Sequence, residues 1–198
     1  QHVTCWNSVP VWMEMFLTYF DSFNLTASAA ESPPFLTLKS VMLSGDVIPS
    51  SLPTRIRSVL KQPELSVLCL GGPTEDTIWC VQFASATDSE TSEERSTAGS
   101  HGLVPFDPTS RWANMPYGVP IRGMSAHVML RNATQDAPVN VWGEICFAGV
   151  GVSRGFLGDE ERTRERFVKH PLLGVTMHRT GDLGKLTGDG YLLIAGRI

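Results

Sequence analysis

The residues best suited to chemistry lie in one short segment, 71–77, which reads Gly-Gly-Pro-Thr-Glu-Asp-Thr. Two glycines and a proline between apolar runs predict a tight loop whose backbone amides can approach a ligand closely. Thr74 and Glu75 place a hydroxyl beside a carboxylate, and oxygen ligands of this kind can hold a hard cation next to a phosphate. The same pattern is also typical of an ordinary loop, so both interpretations stay open at this point.

The first half of the chain must position this loop, and its apolar patterns alternate between two periods. Strands are predicted at 3–6, 36–43, 65–70 and 78–83, and helices from Pro10 and at 51–60. This alternation is typical of βαβ units in a parallel sheet, where ligands bind beyond the carboxyl ends of the strands. Asn7, Ser44-Gly45 and Gly71-Gly72 all follow predicted strands and are therefore expected at that edge.

The helix that begins at Pro10 carries apolar residues at helical spacing, and we expect all of them to lie in the core. They are Val11, Trp12, Met15, Phe16, Tyr19, Phe20 and Phe23. The polar segments 24–34 and 87–101 are predicted to be loops.

The second half changes to short strands and predicts a smaller, mainly antiparallel β part. The strands are expected at 122–130, 144–148, 183–186 and 191–195. One helix is expected at 159–168, and 187–190 is expected to form a hairpin turn. The predicted fold class is α/β. A parallel βαβ part is predicted at 1–110 and a barrel-like β part at 111–198, with residues 116–120 as the entry to the second part.

The bulk composition excludes several classes of function. The 198 residues are 42% hydrophobic and 18% charged, which is typical of a globular protein with a real core. The net charge of −4 gives no basic field for nucleic acid or an anionic membrane. There is neither an apolar run of membrane-spanning length nor a secretion signal, so a cytoplasmic protein is expected.

The cysteines and histidines carry no clustered metal pattern. Cys5, Cys69, Cys80 and Cys146 are widely spaced in apolar surroundings, and we expect buried, reduced thiols without zinc or disulfides. The five histidines show no metal-ligand spacing either.

Further motifs follow the first loop in a fixed order. Residues 143–149 read Gly-Glu-Ile-Cys-Phe-Ala-Gly, 151–157 read Gly-Val-Ser-Arg-Gly-Phe-Leu, 178–183 read His-Arg-Thr-Gly-Asp-Leu, and Gly196-Arg197 ends the series. Together with Gly-Pro-Thr-Glu, they resemble in order and spacing the motifs of the adenylate-forming enzymes. Within that family the chain is most similar to the amino-acid-activating adenylation domains of nonribosomal peptide synthetases. The resemblance extends from Val3 to Arg197.

The resemblance implies an activity and assigns residues to it. Enzymes of this family use Mg-ATP to convert a carboxylate into an acyl-adenylate and pyrophosphate, and then pass the acyl group to a thiol. The positions that match the family's nucleotide site are Gly45, Gly71, Gly72, Thr74, Glu75, Asp182 and Arg197. Thr74 is thereby expected at the α-phosphate, Glu75 on Mg²⁺, Asp182 on the ribose hydroxyls and Arg197 near the nucleotide.

One position departs from the family pattern. An aromatic residue usually precedes Gly-Pro-Thr-Glu and stacks on adenine, whereas this chain has Gly71. Either adenine stacks on the backbone or another side chain covers it, and similar Gly-Gly variants occur among cysteine-activating members.

The resemblance also implies a substrate pocket. Its matching positions are Asn7, Met42, Ser44, Leu70, Ile78 and Trp79. This set is similar to the cysteine-activating pattern, with methionine in place of leucine at position 42. A small apolar cavity closed by Trp79, with Asn7 and Ser44 as polar tips, suits L-cysteine. Serine, threonine and valine are the nearest rivals, because a pocket discriminates weakly between side chains that differ by one small group.

Several parts of the family's enzyme are not found in this sequence. They are the upstream phosphate loop, the aspartate that binds the substrate amine, and the C-terminal domain with its catalytic lysine. We therefore expect a fragment of the large N-terminal domain that ends at the hinge and is inactive alone, and whose parent could carry an inserted tailoring domain after Ile198.

The expected partners are a peptidyl carrier protein with its phosphopantetheine thiol and the neighbouring synthetase domains. The alternatives are adenylation of another small amino acid, an aryl-acid or acyl-CoA ligase, and a non-catalytic scaffold. The joint presence of Thr74, Glu75 and Asp182 argues against the scaffold.

Overall fold

The structure is a computed structural model, and it describes residues 3–24, 37–85, 113–130 and 135–198. The chain divides into two compact units, Gln1–Cys69 with Phe83–Met115, and Leu70–Gln82 with Pro116–Ile198. The predicted loops at 24–34 and 87–101, and residue 110, lie outside the described residues, apart from Asn24.

The first unit is built from parallel strands and helices. Strand β1 is Cys5–Ser8, helix α1 is Pro10–Asn24, β2 is Ser40–Leu43, α2 is Leu52–Leu60, and β3 is Ser66–Gly71, which continues into the second unit. β1 pairs in parallel with β2, and β2 pairs in parallel with β3, so the predicted βαβ arrangement is confirmed. β1 lies later in the chain than predicted, and Asn7 is therefore inside this strand and not beyond it.

Helix α1 buries a narrower face than the sequence predicts. Met13, Leu17 and Phe20 are buried, and their spacing places them on one stripe of the helix. Four members of the predicted stripe are exposed, with 51% to 69% of their surface accessible to solvent: Val11, Trp12, Met15 and Tyr19. The prediction was wrong for these four because apolar residues surround most of this helix, and periodicity cannot then show which stripe is covered.

Helix α2 is fixed by a buried arginine that sequence reasoning missed. Arg57 is 7% exposed, and its Nε donates to the Leu65 carbonyl at 3.0 Å. Its Nη2 donates to the Ser85 carbonyl at 2.8 Å. A buried charge is tolerated when its hydrogen-bond donors have acceptors. These bonds connect α2 to the backbone before and after the loop at residues 71–77.

The cysteines follow the prediction with one exception. Cys69, Cys80 and Cys146 are buried free thiols, and burial raises the pKa of Cys69 and of Cys146 to about 12. Cys5 is exposed, because no position of β1 is fully covered.

The second unit contains the loop and an antiparallel sheet. Its elements are a 3₁₀ turn at Thr74–Asp76, β4 (Val81–Ser85, which runs into the first unit), β5 (Val119–Pro120), β6 (Met124–Met129), β7 (Gly143–Gly149), α3 (Glu160–Arg166), β8 (Phe167–Lys169), β9 (Thr176–Leu186) and β10 (Leu192–Arg197). β10, β9, β7 and β6 form the sheet in that order, and β8 pairs with β9. The mainly antiparallel part is thus confirmed. The predicted strand at 78–83 was wrong at its start, since β4 begins at Val81.

The core of the second unit is centred on β7, which is buried at six of its seven positions. Ile145, Phe147 and Leu192 are fully buried in one apolar cluster. No helix among the described residues has the length and apolar character needed to cross a membrane.

A matched pair of leucine substitutions tests this core. Leu192→Ala is expected to lower the free energy of unfolding by about 2–5 kcal/mol, because Leu192 is fully buried and its truncation leaves a cavity. Leu157→Ala, at a fully exposed leucine in the same unit, is expected to change it by less than about 0.5 kcal/mol. Urea denaturation measures both, and equal losses would contradict this core.

Candidate active site

The segment between β3 and β4 is a closed loop held by its own backbone. The Pro73 carbonyl accepts hydrogen bonds from the amides of Asp76 at 3.0 Å and Ile78 at 3.2 Å. The Cys80 amide donates to the Gly71 carbonyl at 2.9 Å and closes the base of the loop. Thr74 and Glu75 lie between these bonds, at the bend.

Both glycines of this loop occupy positions where a side chain has no room. Gly72 has a φ of +146°, and a Cβ there would lie 2.7 Å from the Ile78 carbonyl oxygen. A Cβ on Gly71 would lie 2.5 Å from Cδ2 of the Tyr117 ring. Packing within the protein therefore explains glycine at both positions, and the expected close approach of a ligand to this backbone stays a prediction.

The far side of the loop is strained. Thr77 and Ile78 have φ values of 69° and 65°, in the left-handed region that β-branched residues avoid. Residues in sparsely populated conformations cost on the order of 1–3 kcal/mol each and are concentrated at functional sites. Ile78 is 59% exposed despite its apolar side chain, so burial does not explain this conformation.

The segment that follows β7 supports the loop from outside. The Ser153 amide donates to the Glu75 carbonyl at 2.8 Å, and the Thr77 hydroxyl donates to the Gly151 carbonyl at 2.6 Å. The Gly151 amide in turn contacts the sulfur of Met124 at 3.2 Å. The glycine-rich motif at 149–153 thus serves to hold the loop backbone.

A buried acid–histidine contact connects the loop to β9. Asp76 is fully buried, and its Oδ2 lies 2.8 Å from Nδ1 of His178, which is itself buried. Burial raises the pKa of Asp76, and the hydrogen bond to His178 opposes that rise. The His178 ring also stacks on Phe167 at 4.9 Å between centroids. Because Asp76 follows Glu75 directly, this contact fixes the position of the Glu75 backbone relative to β9.

Strand β9 bulges where the second polar motif lies. Opposite β7, Glu144 pairs with Leu183 while Cys146 pairs with Arg179, so β9 has extra residues in this stretch. Gly181 takes a φ of +76° within it. A bulge of this kind re-aims the side chains around it.

Glu144 of β7 holds the bulge in place. Its Oε2 accepts from Nε and Nη2 of Arg179 at 2.9 and 2.6 Å, and its Oε1 accepts from the Gly181 amide at 3.1 Å. The hydrogen bond to Glu144 raises the pKa of Arg179. Thr180 also holds the bulge against β7, because its hydroxyl donates to the Ile145 carbonyl at 2.8 Å.

Asp182 and Arg197, predicted separately from the sequence, lie side by side on β9 and β10. Nη1 of Arg197 lies 2.8 Å from Oδ1 of Asp182 and also donates to the Thr180 carbonyl at 3.0 Å. Arg197 and Gly181 line a cavity of about 450 Å³ on this unit. The Arg197 side chain is 73% exposed, so its head group remains accessible.

The reactive groups predicted on the loop, those of Thr74 and Glu75, have no side-chain partner in the described part of the chain. The Thr74 hydroxyl and the Glu75 carboxylate make no hydrogen bond or ion pair with another residue in the described part of the chain. Thr74 is exposed and Glu75 is half-buried. A free carboxylate beside a free hydroxyl fits a hard cation such as Mg²⁺, which takes one or two carboxylates and completes its shell with water and phosphate oxygens.

The predicted substrate-pocket residues fall in two sets. In the first unit, Asn7 on β1 is the register partner of Met42 on β2, and Ser44 and Gly45 follow β2 directly. The second unit carries the other three, Leu70, Ile78 and Trp79. Leu70 is buried on β3, Ile78 is exposed and Trp79 is half-buried.

A group of possible metal ligands also occurs in the second unit. Asp136 lies 3.1 Å from Nδ1 of His127 and 3.3 Å from Nε2 of His170. Nδ1 of His170 accepts from the amides of Leu172 and Leu173, so Nε2 carries the proton and donates to Asp136. These contacts are therefore explained by hydrogen bonding and leave no lone pair on His170 for a metal.

Sequence reasoning missed the residues that hold the site together. Asp76 and His178 stood in the quoted motifs without a role, because they are 102 positions apart and no spacing rule connects them. Glu144 and Tyr117 were missed in the same way. The one available signal was the position of Asp76 directly after Thr74 and Glu75 in the quoted motif.

The strained conformation predicts an unusual gain in stability. Ile78→Gly is expected to raise the free energy of unfolding by about 1 kcal/mol, because glycine adopts a positive φ without strain. Val139→Gly, at an exposed residue without a positive φ, is the matched control and is expected to lower it by about 0.5–1 kcal/mol. Denaturant titration measures both variants, and a loss at Ile78 as large as that at Val139 would refute the strain.

Comparison with known proteins places the chain in a family. The model of the AMP-binding enzyme family matches residues 1–157. Bacitracin synthase 1 of Bacillus licheniformis is 32% identical over 197 residues, which cover 100% of this chain and 3% of that protein. Pyochelin synthetase PchF of Pseudomonas aeruginosa is 36% identical over 199 residues, which cover 98% of this chain and 9% of that protein.

Solved structures agree with this match. The crystal structure of the nonribosomal peptide synthetase FmoA3 bound to α-methyl-L-serine-AMP superposes with a TM-score of 0.77 at 32% identity, covering 99% of this chain and 19% of that one. The AMPPNP-bound form gives 0.75 at 31% identity, covering 99% and 18%. This chain thus spans less than a fifth of the length of each of these relatives. On the match to its first 157 residues, the chain belongs to the AMP-binding enzyme family.

Proposed function

We propose that this chain is part of an amino-acid-activating adenylation domain of a nonribosomal peptide synthetase. The domain joins an amino acid to the AMP portion of ATP and loads the aminoacyl group onto the phosphopantetheine thiol of a carrier protein. The observation that carries the proposal is the buried Asp76–His178 contact. This contact holds two features in one compact unit: Glu75, whose carboxylate has no partner in the described chain, and the Asp182–Arg197 pair. A nucleotide requires both, because it has a phosphate end that binds a metal ion and a ribose end.

The loop is suited to the phosphates. Thr74 offers its free hydroxyl to the α-phosphate, and Glu75 offers its carboxylate to Mg²⁺. The cation, when bound, neutralises phosphate charge as pyrophosphate departs. The hydrogen bonds from Ser153 and Thr77 keep this part of the loop in place before ATP arrives, so little reorganisation is needed in the transition state.

The β9–β10 pair is suited to the ribose. Arg197 engages one oxygen of Asp182, and the other oxygen, Oδ2, makes no hydrogen bond with another described residue. An ionised carboxylate is a strong acceptor for the hydroxyls of a diol. The bulge held by Glu144 aims Asp182 and thereby serves nucleotide binding indirectly.

The reaction itself is two substitutions. An oxygen of the amino acid carboxylate attacks the α-phosphorus, the bond from that phosphorus to the bridging oxygen breaks, and pyrophosphate leaves. The thiolate sulfur of the carrier then attacks the acyl carbon, and AMP leaves with the electron pair of the acyl–oxygen bond. Much of the rate enhancement in such a reaction comes from orientation and charge neutralisation, which are the properties this loop supplies.

L-cysteine is the substrate we propose. The proposal rests on the residue types at the matching positions, of which Asn7 and Ser44 are polar and Ile78 and Trp79 are apolar. The strain at Ile78 supports a role in binding, because the conformation turns an apolar side chain outward at an energetic cost. The FmoA3 structure holds the adenylate of α-methyl-L-serine, another small amino acid.

The partners follow from the same proposal. A peptidyl carrier protein and neighbouring synthetase domains take up the product, and the reaction takes place in the cytoplasm, where ATP is available. The large share of each relative that this chain does not span is the reason to test the activity in the full-length protein that contains it.

Amino-acid-dependent ATP–pyrophosphate exchange in that full-length protein tests the substrate. Exchange with L-cysteine is expected to exceed exchange with serine and valine by about 10-fold or more, since one small group in a pocket is worth roughly 10–200-fold. Salicylate is the aryl-acid control and is expected to be inactive. Preference for another acid would keep the chemistry but refute the pocket assignment, and no exchange with any acid would refute adenylation.

Substitution of the loop carboxylate tests the metal role. Glu75→Gln is expected to lower the exchange rate by about 10²-fold and to raise the Mg²⁺ concentration needed for half-maximal rate, because a charged ligand is lost. Glu161→Gln, the same change at an exposed acid of α3, is the matched control and is expected to behave as the parent. An unchanged Mg²⁺ requirement in Glu75→Gln would contradict the assignment.

A further inference from the structure

The ring of Tyr117 occupies the space that a side chain at Gly71 would need. A Cβ on Gly71 would lie 2.5 Å from Cδ2 of that ring, 3.1 Å from Cζ, and closer still to Cε2. Distances under 3.0 Å cannot be accommodated without a shift, and a ring held by its surroundings shifts with difficulty. The glycine and the tyrosine are therefore mutually dependent, although 46 positions separate them in the sequence.

Tyr117 is held firmly in this position. The next residue, Gly118, exchanges two backbone hydrogen bonds with Leu192 of β10, at 3.2 and 2.8 Å. The ring lies 6.2 Å from Phe147 of the core, tilted by 57°. Burial raises the pKa of Tyr117, and a hydrogen bond between the Gly72 backbone and its hydroxyl opposes that rise. The ring is thus anchored on the core, on β10 and on the glycine pair.

Tyr117 is also adjacent to both halves of the proposed nucleotide site. It contacts Gly71 and Gly72, which directly precede the Pro73–Glu75 bend. Burial raises the pKa of Tyr117 most, and the nearby Cys80 thiol and then the carboxylates of Asp182 and Asp76 raise it further. Tyr117 as a residue is half-buried, and it is not fully enclosed by the core against which it packs.

We propose that Tyr117 provides the aromatic face on which the adenine of ATP stacks, and that Gly71 lacks a side chain so that this ring can reach the site. The proposal rests on the proposed use of ATP. A purine base beyond a ribose held by Asp182 needs a flat, polarisable partner, and aromatic side chains supply one without regard to hydrogen-bond pattern. Among other aromatic rings of this unit, Trp79 is assigned to the amino acid, Phe167 is stacked on His178, and Trp142, which lines the cavity with Arg197, has the Lys185 ammonium 4.8 Å from its centroid.

The experiment compares two ligands in the full-length protein, ATP and inorganic tripolyphosphate, both with Mg²⁺. Tyr117→Leu is expected to weaken ATP binding by roughly 10- to 100-fold, as loss of one stacking partner does, and to leave tripolyphosphate binding unchanged. In the exchange assay the KM for ATP rises, while the KM for the amino acid does not. Calorimetry measures the binding constants.

Three further variants separate stacking from a structural role. Tyr117→Phe keeps the ring and is expected to restore most of the ATP affinity that Tyr117→Leu loses. Tyr19→Leu, the same substitution at a 69% exposed tyrosine of α1, is the matched control. The double variant Gly71→Phe with Tyr117→Gly removes the tyrosine ring and places a phenylalanine ring in the same space from position 71. It is expected to bind ATP more tightly than Tyr117→Gly alone.

Each outcome decides the proposal. Equal loss of ATP and tripolyphosphate affinity would show that Tyr117 acts by holding the loop, and would overturn it. Unchanged ATP affinity in Tyr117→Leu would overturn it as well, and if Glu75→Gln still lowers the exchange rate, the proposed function stays intact. If Tyr117→Leu fails to fold, the double variant decides, because failure of the ring at position 71 to improve ATP binding over Tyr117→Gly overturns the proposal. No exchange by the parent protein would instead mark failure of the proposed function.

Discussion

The candidate site depends on one buried contact, between Asp76 and His178. Asp76 is fully buried, one of its oxygens has no partner in the described chain, and the other lies 2.8 Å from the imidazole. A buried carboxylate in this state costs free energy, and removing its partner would cost several kcal/mol more, about 3–5 for a buried pair. The contact therefore persists only while the loop and β9 keep their present arrangement. Since Glu75 precedes Asp76 and the Arg179–Asp182 stretch follows His178, both reactive ends of the site take their positions from it.

Around this contact, the backbone is strained, and selection for stability alone would not retain this strain. Thr77 and Ile78 are left-handed although both are β-branched, and Gly72 has no room for a side chain. Hydrogen bonds from Ser153 and to Gly151 hold the loop in this shape. Natural proteins retain such strain where a site requires a particular surface, here an outward Ile78 beside Thr74 and Glu75.

The relation between Gly71 and Tyr117 shows how the space beside one residue can be filled from a distant position. Where a side chain at position 71 would stand, the fold supplies a ring from another part of the chain. This pairing leaves no trace in either local sequence, because Gly71 before Gly72-Pro73 and Tyr117 before Gly118 both look like ordinary turn residues. A departure from a family motif is therefore weak evidence for a lost function until the neighbouring space has been inspected.

The sequence by itself determined most of the order of elements and the change from parallel to antiparallel strands, and it made Thr74, Glu75, Asp182 and Arg197 the candidates for the site. These features depend on local periodicity, turn chemistry and short motifs, which are encoded within a few residues. Only the tertiary structure decided which stripe of α1 is buried, how Asp182 meets Arg197, and that Asp76 contacts His178 and Tyr117 covers Gly71. Such pairings depend on which surfaces the packed chain brings together. Periodicity gives a residue its face on an element, but the partner across that face is chosen by the fold.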